Sequence, residues 1–263
     1  MIGLSTYAYF WQCSEKSPAP MSLEAMLRDA QSLGAEVFQI CDFPAIESYD
    51  QGRLEALRGL AADLGLTLEL GTRGVRRGHL ARYLEIAQSL DSVFVRSMVQ
   101  PADTPLEEVG PELSAAAAEF SSSGVRLGLE TYEQVPTKAL VDVVSAMDSQ
   151  ALGIVLDPAN SVAALEHPRD VVTHTAPWVN NLHIKDFAFS RQPGWVGFVY
   201  TGARLGEGLL DYDVMIDAVA PTERGVNQII EHWLPWQGDI HQTIEAERDW
   251  TTHSINYLRS KQT

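Results

Sequence analysis

Glu130, Asp157, His183 and Glu231 close the short apolar runs Leu-Gly-Leu-Glu, Ile-Val-Leu-Asp, Asn-Leu-His-Ile and Ile-Ile-Glu. The first three are 27 and 26 residues apart, about the length of one strand plus one crossover helix. That spacing predicts that they sit at one level of neighbouring parallel strands. Three carboxylates and one imidazole suit a hard or borderline divalent ion such as Mn²⁺, Mg²⁺ or Co²⁺ better than a structural zinc. Taken singly, each acid reads as a helix cap or a solvated loop residue. As a set at one barrel mouth they would repel strongly without a cation, so one divalent ion is the expected cofactor.

The elements that must position these residues follow a repeating pattern of amphipathic helix, glycine, short apolar run and polar residue. It is clearest in Ala30–Ile40, Ala62–Glu69 and Ser122–Glu130. Gly34, Gly65 and Gly124 read as helix C-terminal caps. Weaker versions lead into Val93–Arg96, Gly153–Asp157 and Val179–His183; with Ile2–Ser5 in front and Asn227–Glu231 behind, the count is eight strands. Strands alternating with helices imply parallel pairing and right-handed crossovers. Eight such units in 263 residues close most naturally into a single-domain (β/α)₈ barrel over residues 1–263. An open doubly wound sheet is the runner-up, weakened by the lack of a Gly-x-Gly-x-x-Gly turn after the first strand.

Period-two alternation turns Glu130, Asp157, His183 and Glu231 toward the barrel axis near the strand C-termini, where barrel enzymes place their chemistry. Lys185 points the same way as His183 and can pair with a substrate anion or neutralise a neighbouring glutamate. Glu69 also faces inward, with Arg73 beyond it, and the expectation is an ion pair between them. Arg96 is read similarly, with anion binding as the other option. His232 has the opposite parity to Glu231, which places it behind the site or against a helix. Trp11, Trp195, Trp233 and Trp236 fall in loops near the mouth, as pocket walls or subunit contacts. The stretch from Phe187 to Leu210 reads as an irregular insertion and a candidate lid.

Composition excludes several classes. With 35 acidic against 19 basic residues, the formal net charge is −16. This disfavours nucleic acid, whose phosphates demand cations, and anionic membranes alike. Cys13 and Cys41, the two cysteines, form neither a disulfide framework nor a zinc ribbon. The first residues lack a signal-peptide pattern and no run is long enough to span a membrane, so a cytoplasmic location is expected, with a small molecule as partner and homo-oligomerisation left open.

Leu129-Glu130-Thr131-Tyr132, Leu156-Asp157-Pro158-Ala159-Asn160, Leu182-His183-Ile184-Lys185-Asp186, Leu205-Gly206-Glu207-Gly208 and Ile230-Glu231 together resemble the sugar phosphate isomerase/epimerase superfamily of xylose isomerase-like barrels. The resemblance covers essentially the whole chain. It implies that Glu130, Asp157, His183 and Glu231 bind one divalent ion, and that Glu130 and Glu231 double as acid and base. Within that superfamily, Phe38–Asp42, Leu68–Gly74, Glu130–Thr137, Lys185–Phe189 and Glu231–Gly238 look most like the 3-oxo-isoapionate decarboxylases of bacterial apiose degradation.

The chain departs from the ketose 3-epimerases, which carry a His three residues after the Asp ligand and an Arg six after the His ligand; here those positions hold Asn160 and Phe189. The implied chemistry is loss of CO₂ from a 3-oxo acid to an enediolate, which Glu130 or Glu231 protonates to give L-erythrulose. Lys185, Arg73, Arg96 and Asn160 form the expected substrate-binding set. A metal-dependent ketose epimerase or a sugar or hydroxypyruvate isomerase is the alternative. A nuclease of the same fold would need many histidine ligands, whereas only one of the seven histidines closes a strand. A non-catalytic sugar-binding barrel is the third class.

Overall fold

The computed structural model describes residues 1–262. Eight parallel strands close into a ring: β1 Ile2–Ser5, β2 Val37–Cys41, β3 Thr67–Gly71, β4 Phe94–Ser97, β5 Arg126–Glu130, β6 Leu152–Leu156, β7 Val179–Ile184 and, after a hairpin of β8 Phe187–Arg191 and β9 Phe198–Gly202, the closing strand β10 Asn227–Ile230. Each neighbour pair in the ring is parallel, and β10 pairs with both β7 and β1. The expected (β/α)₈ barrel is what forms.

The helices that cover the ring include α1 Leu23–Ser32, α2 Gln51–Leu64, α3 Arg77–Ser89, α4 Leu106–Ser123, α5 Thr137–Met147, α6 Pro158–Val162, α7 Pro168–Thr175, α8 Tyr212–Val219, α9 Pro221–Arg224 and the long α10 Ile240–Ser260. Their starts are set by side chains: Ser22, Asp50 and Asp239 each accept a first-turn amide. Gly65 and Gly124, at φ 68° and 69°, end α2 and α4 in the left-handed conformation that the sequence pattern predicts.

Alternation sorts the strand residues into two layers. Leu4, Phe38, Leu70, Leu129, Leu156, Leu182 and Ile230 join the core between sheet and helices. The inward set fills the barrel floor with Val37, Phe94, Val155 and Ile229. Gly128 is required there, because a Cβ on it would lie 2.6 Å from Val155 and 2.7 Å from Phe94. A packed floor leaves only the C-terminal end of the barrel open for chemistry.

The stretch from Phe187 to Leu210 is not irregular, as the sequence suggests, but begins as the antiparallel hairpin β8–β9 with Phe187 opposite Gly202 and Arg191 opposite Phe198. Asp186 ties down both ends of the excursion. Its Oδ1 accepts from the amides of Phe187 and Leu210, and its Oδ2 from those of Gly206 and Gly208, all within 2.9 Å. Midway along the hairpin, the Tyr200 hydroxyl donates to the Ala159 carbonyl, and the ring meets Trp233 edge-on. Among the described residues no helix is long and apolar enough to cross a membrane.

Candidate metal centre and active site

Glu130 ends β5, Asp157 follows β6 directly, His183 lies in β7 and Glu231 follows β10. All four are buried; Glu130, Asp157 and His183 form one cluster, and Glu231 adjoins it through His183 and through Lys185, which it shares with Asp157. One ligand atom each from Glu130, Asp157 and His183 falls within 4.8 Å of the others. His183 Nδ1 stands 3.5 Å from an oxygen of Glu130 and 3.5 Å from one of Glu231. That nitrogen is buried and has no hydrogen-bond partner. An orphaned imidazole nitrogen facing carboxylate oxygens is costly in a protein interior, and a hard divalent ion fits this donor set.

Local structure explains how Asp157 comes to point inward at a helix start. Its Oδ1 caps α6 by accepting from the amides of Ala159 (3.0 Å) and Asn160 (3.3 Å), which leaves Oδ2 for the site. Pro158 occupies the first helical position, where its missing N–H costs nothing.

Two buried cations offset part of the carboxylate charge. Lys185 Nζ lies 2.7 Å from Asp157 Oδ2 and 3.0 Å from Glu231 Oε2, with its charge 4.6 Å from the Trp233 ring centre. The Arg96 side chain contacts Glu130 and also donates to Asp42 Oδ1 at 3.2 Å. Asn160 Nδ2 donates to Glu130 Oε1 at 2.7 Å, and the Ser5 hydroxyl to Glu231 Oε1 at 3.0 Å.

These contacts set the protonation states. Burial would raise Glu130, but Arg96 foremost, then His183, holds it down at about 2. Burial works against ionisation of Glu231 too, and His183 and Lys185 reverse it, so it sits below the ordinary carboxylate range. Asp157 goes the other way, to about 6, because burial and the charges of Glu130 and Glu231 outweigh Lys185. Burial lowers the His183 pKa, yet the two glutamates raise it further, to a net increase. The site is a set of crowded anions short of positive charge at its centre.

The mouth is lined by Asp42, Arg73, Arg96, Glu130, Asn160, Lys185, Glu231 and Trp233, among others, around a cavity of about 230 Å³. A further cavity of about 420 Å³, bounded by Tyr7, Asp42, Arg73, His79 and Tyr83, shares three of its residues. Lys185, Arg73, Arg96 and Asn160 therefore all reach the space beside the carboxylates.

The expected Glu69–Arg73 ion pair does not exist. Arg73 lies beyond the end of β3, half-exposed, where it donates to Asp42 Oδ2 (2.8 Å) and the Tyr7 hydroxyl (3.0 Å). Glu69 stays deeper and is held by amides: Gln39 Nε2 (3.0 Å), Asn181 Nδ2 (2.9 Å) and Asn227 Nδ2 (2.7 Å). His232 packs against α10, near Trp250 and the Thr251 hydroxyl, and burial lowers its pKa to about 4. Trp233 walls the site, Trp11 and Trp236 pack together beside it, and Trp195 is 79% exposed on the hairpin turn.

Sequence reasoning missed Asp42, Tyr7 and Gln39. Gln39 carries a readable signal, since it shares the inward parity of β2. Asp42 breaks parity through a left-handed backbone (φ 48°), which no alternation rule reveals.

The family model described as xylose isomerase-like TIM barrel matches residues 27–261. The chain belongs to that family. It is 53% identical, over 99% of its own length and 95% of the relative's, to the 3-oxo-isoapionate decarboxylase of Pectobacterium atrosepticum. Among solved structures it is similar to a xylose isomerase-like TIM barrel protein from Mycobacterium smegmatis in complex with magnesium, with a TM-score of 0.71 and 17% identity, covering 97% of each chain. It is likewise similar to the D-psicose 3-epimerase of Clostridium cellulolyticum H10, with a TM-score of 0.75 and 14% identity, covering 98% of each chain. At these identities the two structures speak for the shared barrel alone.

Proposed function

We propose that the protein is a divalent-metal-dependent decarboxylase that converts 3-oxo-isoapionate to L-erythrulose and CO₂. The observation that carries this reading is the 53% identity, over nearly the full length of both chains, to a decarboxylase of that name. Glu130, Asp157, His183 and Glu231 would hold the ion, for which Mn²⁺, Mg²⁺ or Co²⁺ suit the donors. When bound, it supplies positive charge for the oxyanion that develops as CO₂ leaves.

The chain's own residues do the rest. The bond between the carboxylate carbon and its neighbour breaks, and its electron pair moves toward the 3-oxo oxygen to give an enediolate. Arg73, the exposed cation of the mouth, receives the substrate carboxylate, with Arg96 and Lys185 deeper in the same cavity and Asn160 at the Glu130 side. The enediolate carbon then takes a proton. Glu130 is tied to Arg96 and to Asn160 Nδ2 (2.7 Å), whereas Glu231 meets a flexible ammonium, Lys185 Nζ, at 3.0 Å. We therefore assign delivery of the proton to Glu231, which takes it from solvent at the open mouth while Lys185 holds the carboxylate in place.

Epimerisation is disfavoured at the positions where Asn160 and Phe189 stand. Asn160 is tied to Glu130, and Phe189 is 52% exposed on the hairpin. Both cysteines are unpaired, in keeping with a reducing cytoplasm. The test is to incubate the metal-loaded protein with 3-oxo-isoapionate and, separately, with free ketoses. The reading expects CO₂ and a tetrulose from the first and no change in the second; ketose interconversion without CO₂ overturns it in favour of an isomerase or epimerase.

A further inference from the structure

Beneath the candidate ligands lies a hydrogen-bond chain that no part of the decarboxylation requires. Glu69 is buried in β3 and, among the described residues, has no cation in ion-pair range. Its two oxygens accept instead from the side-chain amides of Gln39, Asn181 and Asn227, contributed by β2, β7 and β10. A carboxylate can only accept, so each of these amides must turn its NH₂ toward it. For Gln39 this settles the orientation, which sterics alone leave ambiguous.

With its NH₂ committed to Glu69, Gln39 presents Oε1 to His183 Nε2 at 2.8 Å. A carbonyl oxygen can only accept, so Nε2 keeps its proton. A neutral imidazole carries one proton, and the other nitrogen, Nδ1, is the one that faces Glu130 and Glu231 without a hydrogen-bond partner.

We propose that Glu69, acting through Gln39, fixes His183 in the Nε2–H tautomer and so presents Nδ1 as a bare donor to the cation site. Glu69 and Gln39 are positioning residues: neither reaches the mouth cavity, and their effect passes entirely through His183. A glutamine facing the imidazole without Glu69 is free to flip. Flipping offers Nε2 an N–H instead, forces the proton onto Nδ1 and blocks the ligand position. The inference rests on reading His183 as a metal ligand, the same reading on which the proposed function stands.

The test needs no substrate. Nitrogen-15 NMR of metal-free wild-type protein, at a pH above the titration of His183, should show its Nε2 protonated and its Nδ1 bare. Glu69→Gln and Gln39→Met should move the population toward Nδ1–H and weaken Mn²⁺ binding by calorimetry about 10- to 100-fold. The double variant Gln39→Glu with Glu69→Gln restores an obligate acceptor opposite Nε2, and should return the wild-type tautomer and most of the affinity. An Nδ1–H signal in the wild type overturns the proposal without recourse to any variant. So does unchanged tautomer and affinity in Glu69→Gln and Gln39→Met. A protein with the expected tautomer that releases no CO₂ would sink the decarboxylase reading and leave this one standing.

Discussion

One buried carboxylate, Glu69, and a cluster of three, Glu130, Asp157 and Glu231, one layer apart in the same barrel, are accommodated in opposite ways. Glu69 is satisfied by three neutral amides from strands on either side of the ring. Glu130, Asp157 and Glu231 share two cations, an unpartnered imidazole nitrogen and an adjoining cavity. Burial alone therefore does not mark a functional acid. What marks one is incomplete compensation: the lower layer is a finished scaffold, while the upper layer is arranged for something to enter.

The sharpest way to break this contrast is to neutralise one carboxylate in each layer. Glu231→Gln should lower kcat/KM for CO₂ release by about 10²- to 10⁴-fold, the range for loss of a proton-transferring group. Glu69→Gln should cost markedly less, within about 10- to 100-fold, and chiefly through metal affinity. Equal losses in the two variants would erase the distinction.

Removing a cation from the upper layer tests its compensation directly. Lys185→Met takes the ammonium away from Asp157 and Glu231, and in metal-free protein it should cost about 3–5 kcal/mol in denaturant unfolding. Added Mn²⁺ should recover more stability in this variant than in the wild type.

Glu247 in α10 is an intermediate case. It is buried and accepts the backbone amides of Trp11 (2.7 Å) and Gln12 (3.0 Å), and burial pushes its pKa to about 7. A carboxyl whose folded pKa is raised favours the folded state most at low pH. That contribution is lost as pH rises from its unfolded value toward 7. Wild-type stability should thus fall between about pH 4.5 and 7 by on the order of 1–3 kcal/mol, and Glu247→Gln should flatten that part of the curve. A variant with the wild-type slope would show that the two amides hold Glu247 ionised.

The smallest effect on the fold is expected at the rim. Arg73 is half-exposed, so Arg73→Met should change stability by less than about 1 kcal/mol. It should raise KM for the anionic substrate about tenfold, which a purely structural Arg73–Asp42 pair would not do.

The upper layer was legible in the sequence because its four residues end four apolar runs, and alternation sends each inward. The lower layer was only half-legible. Parity turns Glu69 and Gln39 inward, but the partners of Glu69 lie at positions 39, 181 and 227, which no local pattern connects. Pairing Glu69 with Arg73 followed from sequence proximity, whereas Arg73 has already left the strand and meets Asp42 at the rim. The hairpin β8–β9 escaped notice because Gln192-Pro193-Gly194-Trp195 reads as loop punctuation, while the pairing it links is long-range to neither helix nor barrel.

The claim beneath all of this is that one cation is shared by Glu130, Asp157, Glu231 and Nδ1 of His183. Pulsed electron paramagnetic resonance of the Mn²⁺-loaded protein measures it most directly. The account predicts one Mn²⁺ per chain, coupled to the nitrogen of a single imidazole, with that coupling absent in His183→Ala. A spectrum without nitrogen coupling, or a coupling that survives in His183→Ala, would contradict it.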